Sequence, residues 1–181
     1  MISTKLTRVS ALMAMVLACL ILNSCTEKPL IVRFNLPYND LQLYGASDTV
    51  GGTINVTFPV NSNLEAELQK NGAKMENIKS IKIKESTFVI DSPTTANFDF
   101  LNNLYEFIGK DSVNFALIAK KEIIPQGVST LQMETEDNDI NEALKAEKFY
   151  LRVRVGRKPS QNVLMRMKAS MTFEVIAEVP L

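Results

Sequence analysis

From Val163 to Ala177 every second residue is apolar: Val163, Met165, Met167, Ala169, Met171, Phe173, Val175 and Ala177. Successive side chains of a β-strand point to opposite faces, so this spacing predicts a long strand over Val163–Val179 with one face buried. A helix would spread the same residues around its whole circumference. The period recurs upstream. Thr53–Val60 sets Ile54, Val56 and Phe58 against Thr53, Asn55 and Thr57, and Phe149, Leu151, Val153 and Val155 alternate inward. Val113, Phe115, Leu117 and Ala119 share a face within Val113–Ile123. Such alternation belongs to antiparallel sheets with one solvated face, because parallel sheets are covered on both.

The remaining punctuation orders the elements. Leu30–Leu36 is a first strand, and residues 37–52 are loop, broken by Pro37, Asn39-Asp40 and Gly51-Gly52. Ser62 and Glu65 have capping-box spacing ahead of a short helix, on which Leu64 and Leu68 share a face and Asn71-Gly72 is the stop. In Ile78–Ile90, Ile81 and Ile83 set one phase and Phe88 and Ile90 the other. A strand changes phase only by taking in an extra residue, so a β-bulge, or a bend between sheets, is expected around Glu85-Ser86. Further strands fall near Asn97–Leu101, Leu104–Ile108, Val113–Ile123 and Thr130–Thr135. Asn138–Lys145 is a second short helix with Asp139 as its N-cap. Phe149–Val155 and Val163–Val179 then form a hairpin through the turn Gly156–Asn162. Some nine short-spaced strands, with no helix long enough for a βαβ crossover, predict an all-β fold. The expected form is a two-sheet antiparallel β-sandwich, Ig-like or Greek key, with two short helices in its connections.

The N-terminal segment is of a different kind. Lys5 and Arg8 precede the apolar run Ala11–Leu22, whose twelve residues fall short of the roughly 18 needed to span a bilayer. A basic start, a short apolar stretch and then small polar residues make an export signal. Its end, Leu22-Asn23-Ser24-Cys25, resembles the lipobox of bacterial lipoprotein precursors, with Asn23 departing from the commoner Ala or Ser. Cys19 is a rival position, but cleavage there would leave apolar Leu20-Ile21-Leu22 on the mature chain. The resemblance implies that residues 1–24 are removed and that Cys25 carries a diacylglycerol and often a further acyl chain such as palmitate. Two or three chains hold a protein on a membrane essentially permanently, at about 0.8 kcal/mol per buried CH₂. It also implies an outer-membrane address, since Thr26 is not the Asp associated with inner-membrane retention. Residues 25–29 would be a lipidated tether reaching about 14 Å at most, and residues 30–181 the sandwich. That domain resembles uncharacterised exported β-sandwich lipoproteins.

Composition removes several function classes. Without Lys5 and Arg8 the chain keeps 18 basic residues against 20 acidic ones, a net charge of −2, which is no footprint for nucleic acid. There is no histidine, and past residue 24 only one cysteine, so neither a His-based hydrolase nor a transition-metal site is expected. No cofactor is expected, and no motif such as G-x-S-x-G or S-x-x-K organises the serines for catalysis. The chain is read as not an enzyme.

Four cations form the candidate site. Arg152 and Arg154 lie on the polar face of one strand, and Arg166 and Lys168 on that of its expected hairpin partner, with Arg157 and Lys158 at the turn. Paired in register they would form one anion-binding patch for a lipid headgroup, an acidic glycan or a protein partner. The plainer alternative is a solvated sheet face whose charges discourage edge pairing. Glu134–Glu142 gathers five carboxylates without the Gly and Glu of an EF-hand loop, and suits a helix start. Met165, Met167 and Met171 suit a core, or the wall of an apolar ligand pocket. Tyr38, Tyr44, Tyr105 and Tyr150 are the aromatics available to a glycan. Asp48-Thr49-Val50 and Asp111-Ser112-Val113 resemble an O-glycosylation motif of some bacterial exported proteins. The expected function is a membrane-anchored, non-catalytic interaction or accessory module of the cell envelope, with an envelope protein or glycan as partner. A carrier of an apolar ligand between the sheets and a glycan-binding surface module are the alternatives.

Overall fold

The alternation is realised as two stacked sheets. A computed structural model describes residues 28–45, 52–159 and 165–180. Its strands are β1 (Leu30–Gly45), β2 (Gly52–Asn61), β3 (Ile78–Ser92), β4 (Leu101–Gly109), β5 (Ala116–Lys121), β6 (Thr130–Gln132), β7 (Glu134–Thr135), β8 (Lys148–Arg157) and β9 (Met165–Val179). One sheet has the order β1-β9-β3-β6 and the other β2-β8-β4-β5-β7. Two short helices, α1 (Leu64–Lys70) and α2 (Asn141–Leu144), lie in connections. The protein is a two-sheet antiparallel β-sandwich, and residues 31–179 form one compact unit.

The long C-terminal strand is buried in its expected phase, with Met167, Ala169, Met171, Phe173, Val175 and Ala177 in the core. The phase change in β3 is a bulge. Ile83 pairs with Phe173 and Glu85 with Thr172, so Lys84 is the extra residue, and Ser86, Phe88 and Ile90 turn inward.

Other expectations need correction. Residues 37–45 are strand rather than loop, because β1 takes its breakers in along a sheet edge, where a missing ladder bond costs little. Asp40 there has φ 55°, and the buried positions move from Leu36 and Tyr38 to Leu43 across it. Asn97–Leu101 is mainly a 3₁₀ turn, Phe98–Phe100, opened by Asn97 Oδ1 accepting from the Asp99 amide. The strand within Val113–Ile123 is shorter, and it bulges at Ile118 so that Ile118 and Ala119 are both buried while Val113 is exposed. Ser62 makes no capping box: Asn63 is the N-cap of α1, and the Ser62 hydroxyl donates to the Leu144 carbonyl at 2.8 Å. Asp139 lies one residue outside the cap of α2, where its Oδ1 accepts from the Asn141 amide.

The largest correction concerns the end of the chain. β8 pairs with β2 and β4, and β9 pairs with β3, so the two strands occupy different sheets and form no hairpin. Alternation fixes which face of a strand is buried, but both strands carry equally apolar inner faces and are therefore equally suited to opposing sheets.

The core divides into two clusters. One holds Leu36, Tyr38, Ile81, Ile83, Phe149 and Phe173, and the other Phe88, Phe98, Leu104, Val153 and Met167. Between Ile83 and Phe88 on β3, and between Leu104 and Ile108 on β4, stand two polar residues, Ser86 and Glu106, both with no exposed surface. The Ser86 hydroxyl donates to Glu106 Oε2 at 2.6 Å and joins one sheet to the other.

Candidate functional site

The four cations expected to share a patch are divided between the two outer faces. Arg166 and Lys168 lie on β9 and are neutralised there: Arg166 Nε stands 2.5 Å from Asp91 Oδ2, and Lys168 Nζ 3.1 Å from Asp91 Oδ1. Hydrogen bonding from the Lys168 ammonium, and then from Arg166, holds the Asp91 carboxyl below its ordinary range. Two more lysines of that face are paired in the same way, Lys79 with Glu178 at 2.7 Å and Lys82 with Asp137 at 2.6 Å, while Lys84 donates to the neutral Asn35 Oδ1 at 3.4 Å.

Arg152 and Arg154 are in another situation. They alternate along β8 with buried Phe149, Leu151, Val153 and Val155, and so face outward together with Lys148 and Tyr150. Register brings neighbours from both sides. Arg152 stands between Thr57 of β2 and Phe107 of β4, and Arg154 between Asn55 and Tyr105. The Arg152 guanidinium lies 3.7 Å from the centroid of the Phe115 ring, while its Nε donates to Thr57 Oγ1 and its Nη2 to the Ser112 carbonyl, both at 3.2 Å. The Arg154 guanidinium lies 4.9 Å from the Phe107 centroid, with Nε donating to Asn55 Oδ1 at 3.3 Å. Ring stacking and hydrogen bonds to neutral partners fix both forks without cancelling their charge.

No carboxylate of a described residue pairs with Lys148, Arg152 or Arg154. The sequence explains why. Along β2, β4 and β8 the single acid is Glu106, and it points into the core. The loop beneath Phe115 is well held. Asp111 accepts from the Asn114 amide at 2.7 Å and the Val113 amide at 2.9 Å, and these bonds lower its pKa. Gly109 has no room for a side chain, since a Cβ there would lie 2.2 Å from the Asn114 carbonyl oxygen.

The other candidates resolve individually. Arg157 is buried at the inward end of β8, and Lys158 donates to the Asp99 carbonyl at 2.7 Å, so neither extends the cationic row. The acidic stretch is spent on lysines of β3 and β5, with Glu134 on Lys121, Glu136 on Lys120 and Asp137 on Lys82. No group of acids or cysteines able to hold a metal ion occurs among the described residues. Met167 and Met171 are core side chains in different clusters. Tyr38 is buried edge-on against Phe149 and Phe173, whereas Tyr105 and Tyr150 lie on the same outer face as the two arginines. Ser112 is exposed in the β4–β5 loop. Cys25, Asp48-Thr49 and the side chains of Tyr44 and Met165 lie outside those described. A groove of about 550 Å³ lies between the β4–β5 loop and the start of α2, lined by Lys110, Phe115, Asp139 and Glu142 among others.

Sequence reading missed the Glu106–Ser86 pair. Burial, offset in part by the Ser86 hydrogen bond, raises the Glu106 pKa to about 7, and its Oε1 has no hydrogen-bond partner. A charged residue at an inward position, between Leu104 and Ile108, was the available signal. The pair is sealed from solvent, so no substrate reaches it.

Comparison with known proteins adds no family. No protein-family model matches the chain, and no curated protein matches its sequence. Among solved structures it is similar to an infectious bursal disease virus Gx strain structure, at 12% identity and a TM-score of 0.42 over 83% of this chain and 33% of that one. A desmodium yellow mottle tymovirus structure is similar at 10% identity and a TM-score of 0.34, over 84% of this chain and 89% of that one. The chain spans about a third of the length of the bursal disease virus chain.

Proposed function

We propose that this protein is a lipid-anchored, non-catalytic module of the cell envelope, which holds a binding face at the membrane surface. One observation carries the reading. Arg152 and Arg154 are fixed by rings and neutral groups and left without acid partners, whereas Arg166, Lys168, Lys79 and Lys82 on the other sheet are each paired with a carboxylate. Evenly solvated surfaces mix both signs, so a face of three strands with cations and no exposed acid stands apart. The signal and lipobox of residues 1–25 support the anchor. On this reading Cys25 is the point of attachment.

Photo-crosslinking in intact cells tests the reading. A photoreactive residue at Asn55 or Tyr150 is expected to give adducts, whereas one at Lys84 or Thr172, on the opposite sheet, is not. Equal labelling from both faces, or substrate turnover by the purified full-length protein, would overturn it.

A further inference from the structure

We infer that the outer face of β2, β8 and β4 binds a carboxylated polysaccharide, the carboxylates seated on Arg152 and Arg154. The inference rests on reading this face as the working surface and names its ligand class.

Charge is the first argument. Lys148, Arg152 and Arg154 stand in one row along β8 and face no acid on either neighbouring strand. At about 3.4 Å per residue the two arginines are about 7 Å apart and Lys148 about 14 Å beyond. That is a linear array of cations, suited to an anion that repeats along a chain. Hydrogen-bonding capacity is the second. Each guanidinium has five N–H donors. The Thr57 hydroxyl and the Ser112 carbonyl use two on Arg152, and the Asn55 amide oxygen one on Arg154, which leaves N–H edges on both forks for bidentate carboxylate recognition. Asn55, Thr57 and Tyr150 surround them with the amide and hydroxyl groups that a polyol requires, while the Tyr105 hydroxyl beside Arg154 donates to Glu122 Oε1 at 3.4 Å.

The character of the surface selects a glycan over a protein. Protein interfaces centre on a desolvated apolar core. Here the Phe107 and Phe115 rings lie beneath guanidinium groups. The exposed large hydrophobics, Leu30, Ile31, Val89, Val113 and Ile123, all lie off β2, β4 and β8. A flat, hydrated, cationic face with hydroxyl and amide neighbours fits an extended acidic sugar chain.

The test uses the full-length protein in detergent micelles, with polygalacturonate as probe, its fully methyl-esterified form as the uncharged control, and vesicles of phosphatidylglycerol as a second anionic surface. Polygalacturonate is expected to bind, and the ester is not. Raising salt from about 0.05 M to about 0.5 M should weaken binding about tenfold, as screening requires. The double variant R152Q/R154Q should lose at least about tenfold, the worth of one charge-assisted hydrogen bond. R154Q alone, which leaves the Arg152–Ser112 contact in place, guards against a loosened β4–β5 loop and should lose severalfold. R154K, which keeps charge but not the fork, should recover only part of that loss, and K84Q on the opposite face should change nothing. Absence of polygalacturonate binding, binding unaffected by the arginine variants, or preferential arginine-dependent binding to the vesicles each overturns the inference. Crosslinks confined to this face but leading to a protein, with no polygalacturonate binding, would overturn the glycan and leave the display function standing.

Discussion

Glu106 is costly to place where it is, and the cost depends on pH. Its carboxyl has an ordinary value of 4.5, raised to about 7 by burial in the folded protein. Below pH 4.5 both folded and unfolded chains are protonated and the residue adds no pH dependence to stability. Between 4.5 and about 7 the unfolded chain releases the proton while the folded one keeps it, so stability falls as pH rises. Above about 7 the loss is complete, on the order of 3 kcal/mol for such a shift. Urea denaturation at pH 5 and pH 8 should show the decline in the wild type. E106Q, uncharged at every pH and still able to pair with Ser86, should remove this component and be the more stable protein at pH 8. An unchanged pH profile in E106Q would place the carboxyl's ionisation elsewhere. The residue also marks a limit of sequence reading. Alternation alone could place Glu106 inward with Leu104 and Ile108, but its partner Ser86 is twenty positions away on another sheet and on the far side of a bulge.

Elements were legible in the sequence in proportion to how much of their identity is local. β2, β3 with its bulge, and β9 could be read because each buries one face and the apolar side chains record it. β1 could not be read in full. Pro37, Asn39 and Asp40 carry the local chemistry of a loop, and only their place at a sheet edge makes them strand. Nor could the pairing of β8 and β9, since adjacency in sequence suggested a hairpin and the choice of sheet is made by packing across the core. That error split the candidate site in two: Arg166 and Lys168 went to Asp91, and Arg152 and Arg154 were left to Phe115 and Phe107. The β4–β5 connection shows how an element's end supports the surface. Because a Cβ at Gly109 would meet the Asn114 carbonyl at 2.2 Å, G109A should cost about 1–3 kcal/mol, the range for overpacking. Its thermal midpoint should fall, and a midpoint unchanged within error would mean that the loop is free to yield.

At the scale of the molecule, the sandwich is a packed support. Its core is filled by Phe88, Phe98, Phe149 and Phe173, all fully buried, and its differences lie on its two outer faces. One carries ion pairs on four of its cations, and on the other the strands β2, β8 and β4 present two arginines held in place and unneutralised, beside the Lys120–Glu136 pair of β5. A binding face of this kind gains most from being held at a surface, where a repeating ligand meets many copies at once. Anchorage is therefore the claim on which the account turns, and Cys25 is where it is decided. The direct measurement is mass spectrometry of the N-terminal peptide from protein extracted from the producing cell's membranes. The account predicts a chain beginning at Cys25 and heavier by a diacylglycerol, with or without a further acyl chain. Protein recovered with an unmodified Cys25, or with residues 1–24 still attached, would contradict it.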